Sequence, residues 1–405
     1  MAKKIISAID VGTSKVATIL ANLDSWGGIQ VLGVGVVPSR GMHKGMVVNV
    51  EEAKSAIAES VRKAEQAGGL RIESAYVGVT GRHISSINNK GVVAIPRSDR
   101  LIRGDDLKRV LSSARSITIP DDRKVLHAIP RHYALDGQER IKNPVGMHGF
   151  RLDVETHIIT ASIASVQNLV KCIRSVGIEI DDLILEPLAS SEAVLTPEER
   201  EVGVILADIG GGTTDIAVFK DGSIYHTSIL PVAGYQVTSD LSIGLGLPFE
   251  VAEAMKKKYG NVAPELDSRR DEMTLSVEDG HSVSYRDLCT IIRTRMEELL
   301  RLILLEMPNS DYSSLAPAGL VLTGGTSNVP GLEALARAAL RIPVRIGEPM
   351  GVYGITDILH NPSYATGVGL LLWGIRNQER PTWQAKKQSG VLGNFFSALK
   401  KFFTG

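Results

Sequence analysis

Little in this sequence announces a function class, and each scarcity excludes something. Of 405 residues only Cys172 and Cys289 are cysteine, far apart and in no CxxC pair. A disulfide framework is therefore excluded, and buried thiols in a reducing compartment are expected. Lys plus Arg and Asp plus Glu each number 45, so the basic surplus of a nucleic-acid binder is missing. No apolar run approaches the roughly 18 residues of a membrane-spanning helix. The apolar start, MAKKIISAIDVGTSK, is broken by Asp10 and Lys15, and no small-residue cleavage site follows. The histidines form no ligand-spaced cluster. A GxxxxGK[ST] stretch is absent, which excludes a P-loop enzyme, and GLGLPF at 244–249 lacks the strand and third glycine of a dinucleotide fingerprint. Length and composition imply a cytosolic body with two core-bearing units, so any membrane contact is made from the surface.

What is present is an internal echo. Residues 8–19 read AIDVGTSKVATI and residues 207–219 read ADIGGGTTDIAVF. Each is an apolar run, an Asp, a Gly-Thr turn and a second apolar run, the pattern of a β-hairpin. Two copies suggest two similar domains facing each other; the alternative is two unrelated Gly-rich turns. Between them, Val166, Leu169, Val170 and Ile173 predict a helix stopped by Gly177, DDLILE (181–186) a strand, and EPLASSEAVL a helix entered through Pro187. Residues 84–165 differ in texture. Asp105 or Asp106 can cap a helix with the stripe Leu107, Val110, Leu111 and Ala114, and KVLHAI, HYALDG and RLDVETHIIT read as strands. In the second half, Pro248 begins a helix through AEAMKKKYG, 260–283 reads as a polar loop, Ser284 and Asp287 open a helix ending near Met307, and VLTGGTSNVPGL is a strand, a turn and a helix start.

The chemistry lies in the turns. Gly210, Gly211 and Gly212 let backbone N–H groups converge on an anion without Cβ obstruction, and Thr213 and Thr214 add hydroxyl donors. Asp208 repels phosphate, so its expected role is to hold Mg²⁺ through water. Asp10 would do the same in the first copy, with Gly12, Thr13, Ser14 and Lys15 gripping phosphate oxygens. Gly324 and Gly325 open a third turn, which reads as structural by itself and as a base or ribose contact beside two phosphate hairpins.

The set ADIGGGTTDIAVF, AIDVGTSKVA, EPLASSEAVL, VLTGGTSNVPGL and YATGVGLLLWG resembles the five nucleotide-site segments of the actin, sugar-kinase and heat-shock-chaperone superfamily. With PSRGMHKGMV, IKNPVGMHG, PVAGYQVTSDL and the Phe-rich tail added, nearly the whole chain resembles the FtsA family of bacterial cell-division proteins. The resemblance implies an actin-like two-domain α/β fold: duplicated ribonuclease-H-like domains around a nucleotide cleft, an α+β insertion in the first domain, and a C-terminal amphipathic helix. It implies boundaries at 1–83, 166–200 and 365–376 for the first domain and 84–165 for the insertion. The second core takes 201–238 and 310–364, a nucleotide-flanking subdomain 239–309, a linker 377–390 and the amphipathic helix 391–405. It further implies ATP with Mg²⁺. The first loop is Asp10 to Lys15, and the second runs from Asp208 and Gly210 through Thr214, closed by Asp215. Glu186 would orient attacking water. Glu253 and Lys256 would flank the adenosine, although by pattern alone they are a solvated helix face. Gly234 and the turn Gly324, Gly325, Thr326 and Asn328 would frame purine and ribose, with Tyr235 bulkier than a close ligand contact favours. The implied function is a filament-forming adapter tying FtsZ to the cytoplasmic face of the cell membrane at the septum, polymerising with itself and contacting later division proteins through the insertion. The alternatives are a small-metabolite kinase of the same superfamily, which would need a catalytic base that 84–165 does not evidently supply, and a peptide-binding chaperone.

The tail GVLGNFFSALKKFFT holds four of the seven phenylalanines. On a helix, Val391, Leu392, Phe395, Phe396, Leu399, Phe402 and Phe403 share one face, with Lys400 and Lys401 off its centre. Thirteen helical residues reach about 20 Å against a hydrocarbon core of about 30 Å, so such a helix lies in a membrane interface or docks on its own core or a partner. The polar linker, and six Lys or Arg against one Glu from Arg376 onward, favour an anionic lipid surface.

Overall fold

Both echoing segments fold as antiparallel hairpins. In the computed structural model, which describes residues 4–24, 26–263, 273–276, 282–308 and 312–376, β1 (Lys4–Val11) turns into β2 (Lys15–Leu23) with Asp10 opposite Ala17. β3 (Ile29–Pro38) alternates buried and half-buried residues, as a strand with one face on the core must. After the short pair β4 (Met42–His43) and β5 (Met46–Val47) comes α1 (Val50–Gly68), capped by the Asn49 carboxamide, which accepts from the Glu51 and Glu52 amides. β6 (Ser74–Val79) then runs parallel to β1.

The insertion is β7 (Ser85–Ala94), α2 (Gly104–Arg115), β8 (Arg123–Leu135), β9 (Gln138–Ile141) and β10 (Arg151–Ser162). Its sheet has the order β7-β10-β8-β9, and α2 buries Val110 and Ala114 against Leu152 and Val154 in a core of its own. Two expectations are corrected here. KVLHAI and HYALDG are one strand, β8, because Pro130 sits beside a bulge opposite Glu155 and Thr156, where the ladder is already irregular. The α2 cap position is Arg103, not Asp105 or Asp106. Asp106 lies buried one turn in, accepts the Arg103 amide at 2.9 Å, and pairs with Arg97 and Arg109.

The chain returns through α3 (Ile163–Ser175), β11 (Glu179–Leu185) and α4 (Glu186–Val194), and the expected stripe of α3 is buried. The second half begins with α5 (Pro197–Val202), started by a Thr196–Glu199 capping box, and continues with β12 (Val204–Ile209), β13 (Thr214–Lys220) and β14 (Ser223–Leu230). α6 (Gly234–Leu245) and α7 (Phe249–Tyr259) follow. The span expected as a loop, 260–283, instead contains most of a small antiparallel pair, β15 (Thr274–Ser276) with β16 (Ser282–Ser284). α8 (Tyr285–Leu305) is capped by Ser284 as expected. Next come α9 (Tyr312–Leu315), β17 (Leu320–Thr323), a 3₁₀ turn at Gly325–Asn328, α10 (Leu332–Leu340), β18 (Val344–Ile346), β19 (Val352–Gly354) and α11 (Ala365–Arg376).

The first sheet has the order β11-β6-β1-β2-β3-β19 and the second β14-β13-β12-β17-β18. Each contains the same unit: a three-strand antiparallel meander whose first strand gains two parallel neighbours on its other side. The echo in sequence is thus a duplication in structure. β12, VILADI, is buried at every position, as a strand covered on both faces requires. α4 packs on α11 and touches β6 and β11 of one sheet and β12 and β13 of the other. β19 falls in the span expected for the second core, yet it pairs with β3 at the edge of the first sheet. Both cysteines are buried and neither is in a disulfide.

The insertion also docks on the second sheet, through its edge strand β14. Ser86 Oγ donates to the Thr227 carbonyl at 2.9 Å, Asn88 Nδ2 to that of Tyr225 at 3.1 Å, and Ser223 Oγ to that of Arg131 at 2.8 Å. The buried His157 ring bridges Asn88 Oδ1 at 2.6 Å and Thr227 Oγ1 at 3.0 Å. The Arg131 guanidinium lies 4.4 Å from the Tyr225 ring centre.

Candidate functional site

β1 and β12 each end by delivering an aspartate and then a glycine turn, and the two turns meet. Gly210 N donates to Thr213 O at 2.9 Å, closing the second turn. A Cβ on Gly211 would collide with Ser14 Oγ, and one on Gly212 would lie 2.5 Å from Thr13 Oγ1. Only glycine lets the turns approach this closely. Thr13 Oγ1 accepts the Gly45 amide at 3.1 Å. The N-terminus of α6 feeds the second turn: Gly234 N donates to Gly210 O at 3.2 Å and Tyr235 N to Gly211 O at 2.7 Å. The Tyr235 ring packs on Phe249, 4.9 Å between centres, and edge-on to His43 from the first half.

Behind the turns four carboxyl groups are buried: Asp10, Asp208, Asp215 and Glu186. Burial pushes Asp10 up to about 6, against the pull of Lys15 and with a contribution from Asp208. It pushes Asp215 up to about 8, against the Thr80 hydroxyl and with help from Asp208. Asp208 is raised by burial despite its bonds to Ser190 and Thr366, and Glu186 rises well above the carboxylate range through burial and then Asp10. Thr366 Oγ1 donates to Asp208 at 3.1 Å; Asp215 accepts from Thr80 and, at 3.2 Å, from Thr213. Burial also lowers Lys15, against the attraction of Asp10 and Asp208. The Lys15 ammonium donates to the Ser363 carbonyl and lies 4.3 Å from the Tyr364 ring centre.

Glu186 begins α4, where its side chain lies against Gly78. A cavity of about 10 Å³ beside it, lined also by Thr80, His83 and Ser165, has room for one water. The residue before it is held by the insertion, since buried His127 accepts the Leu185 amide on Nε2 at 3.0 Å. Burial drives His127 down to about 3, so the ring is neutral with its proton on Nδ1.

The flanking residues form two clusters. Lys256 Nζ contacts Glu253 at 2.6 Å, Thr238 Oγ1 at 2.7 Å and the Gly234 carbonyl at 3.0 Å, tying α7 to the start of α6. Glu253 also takes the Thr238 hydroxyl, so this pair is a half-buried network and not a solvated helix face. Gly324 has φ +85°, and a Cβ there would strike Asp208 Oδ1 and lie 2.5 Å from the Ile209 carbonyl. Thr326 Oγ1 donates to Gly210 O at 2.8 Å, while Asn328 Nδ2 donates to Gly325 O at 3.1 Å and Asn361 Oδ1 at 3.0 Å.

The fold therefore gathers Asp10 to Lys15, Glu186, Asp208 to Asp215, Gly234 and the Gly324–Asn328 turn, with Glu253 and Lys256 on its flank. Sequence reasoning missed Thr80, Asn361 and Ser363. Thr80 follows an apolar strand with no Gly-rich signature, and Ser363 contributes a carbonyl, which carries no side-chain signal. Val391 to Phe403 lie outside the described residues. Among the described residues no three His, Cys, Asp or Glu side chains form a direct metal-ligand set, and no helix is long and apolar enough to cross a membrane.

Residues 205–369 match the family model described as "Cell division protein FtsA", and residues 81–160 match "SHS2 domain inserted in FTSA". The chain is similar to the cell division protein FtsA of Pseudomonas aeruginosa, 43% identical over 93% of this chain and 90% of the relative. It is 37% identical to that of Escherichia coli K12, over 98% of this chain and 96% of the relative. Solved structures share the fold at low identity. A PilM-PilN type IV pilus biogenesis complex matches with TM-score 0.63 at 16% identity, over 91% of this chain and 98% of that one. MreB5 of Spiroplasma citri bound to ADP matches with TM-score 0.55 at 12% identity, over 93% and 99%.

Proposed function

The chain belongs to the FtsA family of cell-division proteins, and on that premise we propose that it is an ATP-binding, filament-forming adapter tying FtsZ to the cytoplasmic membrane at the septum. The observation that carries the nucleotide reading is the meeting of two glycine turns over four buried carboxyl groups and one half-buried lysine. Such a donor set suits a polyphosphate that arrives with its own cation: amide and hydroxyl donors in front, anionic charge needing a counter-ion behind. Amides of Gly12, Gly211 and Gly212, with the hydroxyls of Thr13 and Ser14, would hold phosphate oxygens, while Gly210, Thr213 and Thr214 shape the second turn through their bonds to Thr213 O, Asp215 and Val232 O. Asp10 and Asp208 would hold Mg²⁺ through water. Glu253, Lys256, Gly234 and the Gly324–Asn328 turn would flank the nucleoside. The bound Mg²⁺ supplies charge neutralisation; Lys15, freed from Ser363, supplies a further cation.

In this reading ATP acts chiefly as a clamp. Because the turns touch, a phosphate lodged between them requires the two halves to part, which links occupancy to domain spacing. Turnover is slow, with Glu186 orienting water toward the phosphate. The insertion serves protein contacts, in longitudinal packing or with later division proteins. The tail 391–403 lies in the membrane interface, and a filament carrying many such tails gains avidity without new contacts. A small-metabolite kinase is not favoured, since the near-full-length relatives are cell-division proteins.

Two measurements test this. Asp208→Ala is expected to abolish ATP binding in a fluorescent-nucleotide titration, and unchanged affinity would overturn the site. Phe396→Glu, or truncation after Gly390, is expected to release the chain from anionic vesicles in sedimentation with ATP binding intact; persistent pelleting would defeat the anchor.

A further inference from the structure

The outer edge of the first sheet carries an apolar patch. β19 pairs in parallel with β3, Tyr353 opposite Gln30, and nothing among the described residues pairs with its other edge. Exposed along it are Met350 at 54%, Tyr353 at 44%, Ile355 at 57% and Ile358 at 48%, joined by Trp26 at 93%. Asp24 binds the last of these to the rest: it accepts the Tyr353 hydroxyl at 2.7 Å and the Trp26 amide at 2.8 Å. Large apolar side chains exposed along an open strand edge mark a surface suited to cover by another segment.

The end of α11 lies beside this patch. Met350 N donates to Ala193 O at 3.0 Å, and a Cβ on Gly351 would lie 3.1 Å from Leu372. Four residues on, about 6 Å along the helix, Arg376 pairs with Glu192, next to Ala193. Residues 377–405 continue from that point. The linker 377–390 can span about 45 Å when extended, so residues 391–403 reach the patch from their own chain. Charge agrees as well as distance. The charged side chains of the 348–358 segment are Glu348 and Asp357, whereas 377–405 carries five Lys or Arg against Glu379 alone.

We propose that the apolar face of 391–403 docks on this edge patch of its own chain when no membrane is present, so that sheet edge and lipid compete for the same phenylalanines. This rests on the reading of the tail as a membrane-binding amphipathic segment and adds an autoinhibited state to it. Tethering gives the docked state a high effective concentration, and the apparent lipid affinity is the intrinsic affinity multiplied by the fraction of tails left undocked.

The test uses the full chain, vesicles of phosphatidylglycerol and phosphatidylcholine, and amide exchange followed by mass spectrometry. Without vesicles, amides of 350–358 are expected to be protected, and to lose that protection in Phe396→Glu or on vesicle addition. Ile355→Ser with Ile358→Ser, both at exposed positions, is expected to raise vesicle affinity roughly five- to tenfold by removing the competing site. Equal exchange in wild type and Phe396→Glu, with vesicle affinity unmoved by the patch variant, would overturn the docking while leaving the anchor intact. Protection that grows with protein concentration would assign the patch to a second copy and likewise overturn it. Loss of protection in Phe396→Glu, with no vesicle binding by any form, would support docking and defeat the anchor.

Discussion

Asp215→Asn removes one buried charge from the cleft while keeping the shape of the side chain. Asp215 is 3% exposed, and its folded-state pKa stands at about 8 against an ordinary 3.8. A carboxyl group raised in this way costs stability. The cost begins as pH climbs past 3.8, where the unfolded chain gives up its proton, and is complete above about 8, where the folded chain does so too. Wild-type stability therefore carries a falling component across that window. About four units at 1.36 kcal/mol each set a ceiling of about 6 kcal/mol. Asparagine keeps one acceptor, and its new amide donor can be taken by a threonine hydroxyl, whose proton rotates. Rearranging the bonds to Thr80 and Thr213 then costs about 1 kcal/mol each. The expected result is a variant more stable than wild type by about 2–4 kcal/mol near pH 9, with the gain lost as pH falls and the variant less stable by about 1–2 kcal/mol near pH 4. Urea denaturation followed by circular dichroism, in magnesium-free buffer at several pH values, measures it. Parallel stability profiles for the two proteins would show that Asp215 is not held protonated by its surroundings.

Gly324→Ala places a Cβ against Asp208 and the Ile209 carbonyl at a φ of +85°. Unfolding free energy is expected to fall by about 3 kcal/mol or more, with nucleotide affinity falling too, as urea and nucleotide titrations can check. His157→Ala unties the insertion from β14 by removing the bridge between Asn88 and Thr227. Faster amide exchange in β7 and β14 is expected at a cost of about 1–2 kcal/mol, with ATP binding retained; unchanged exchange would show that the bridge does not hold the two together.

Much of the fold was legible because the relevant bonding is local. A strand, an aspartate, a glycine turn and a second strand lie within a dozen residues in both hairpins, so pattern and turn chemistry sufficed to read them and their duplication. The Ser284 cap is likewise short-range. Errors arose where a neighbour in space decided. KVLHAI and HYALDG read as two strands, yet β10 pairs with both as one strand across a bulge beside Pro130. Asp106 suggested a cap, but Arg97 and Arg109 draw it inward. β19 is too short for its pattern to reveal that β3 claims it.

The candidate site divides along the same line. Sequence by itself singled out the two glycine-threonine turns as the proposed phosphate site, because both residue types recur at one spacing after a strand-ending aspartate. The expected apolar face of 391–403 also comes from helical spacing in the sequence, and it lies outside the described residues. Only the tertiary structure decided that the two turns touch, that Lys15 is held by Ser363, and that four carboxyl groups share one buried interior. The physical reason is that desolvation has no local signature: the charge state of Asp10 or Asp215 is set by remote segments that exclude water, not by the residues beside it in the chain.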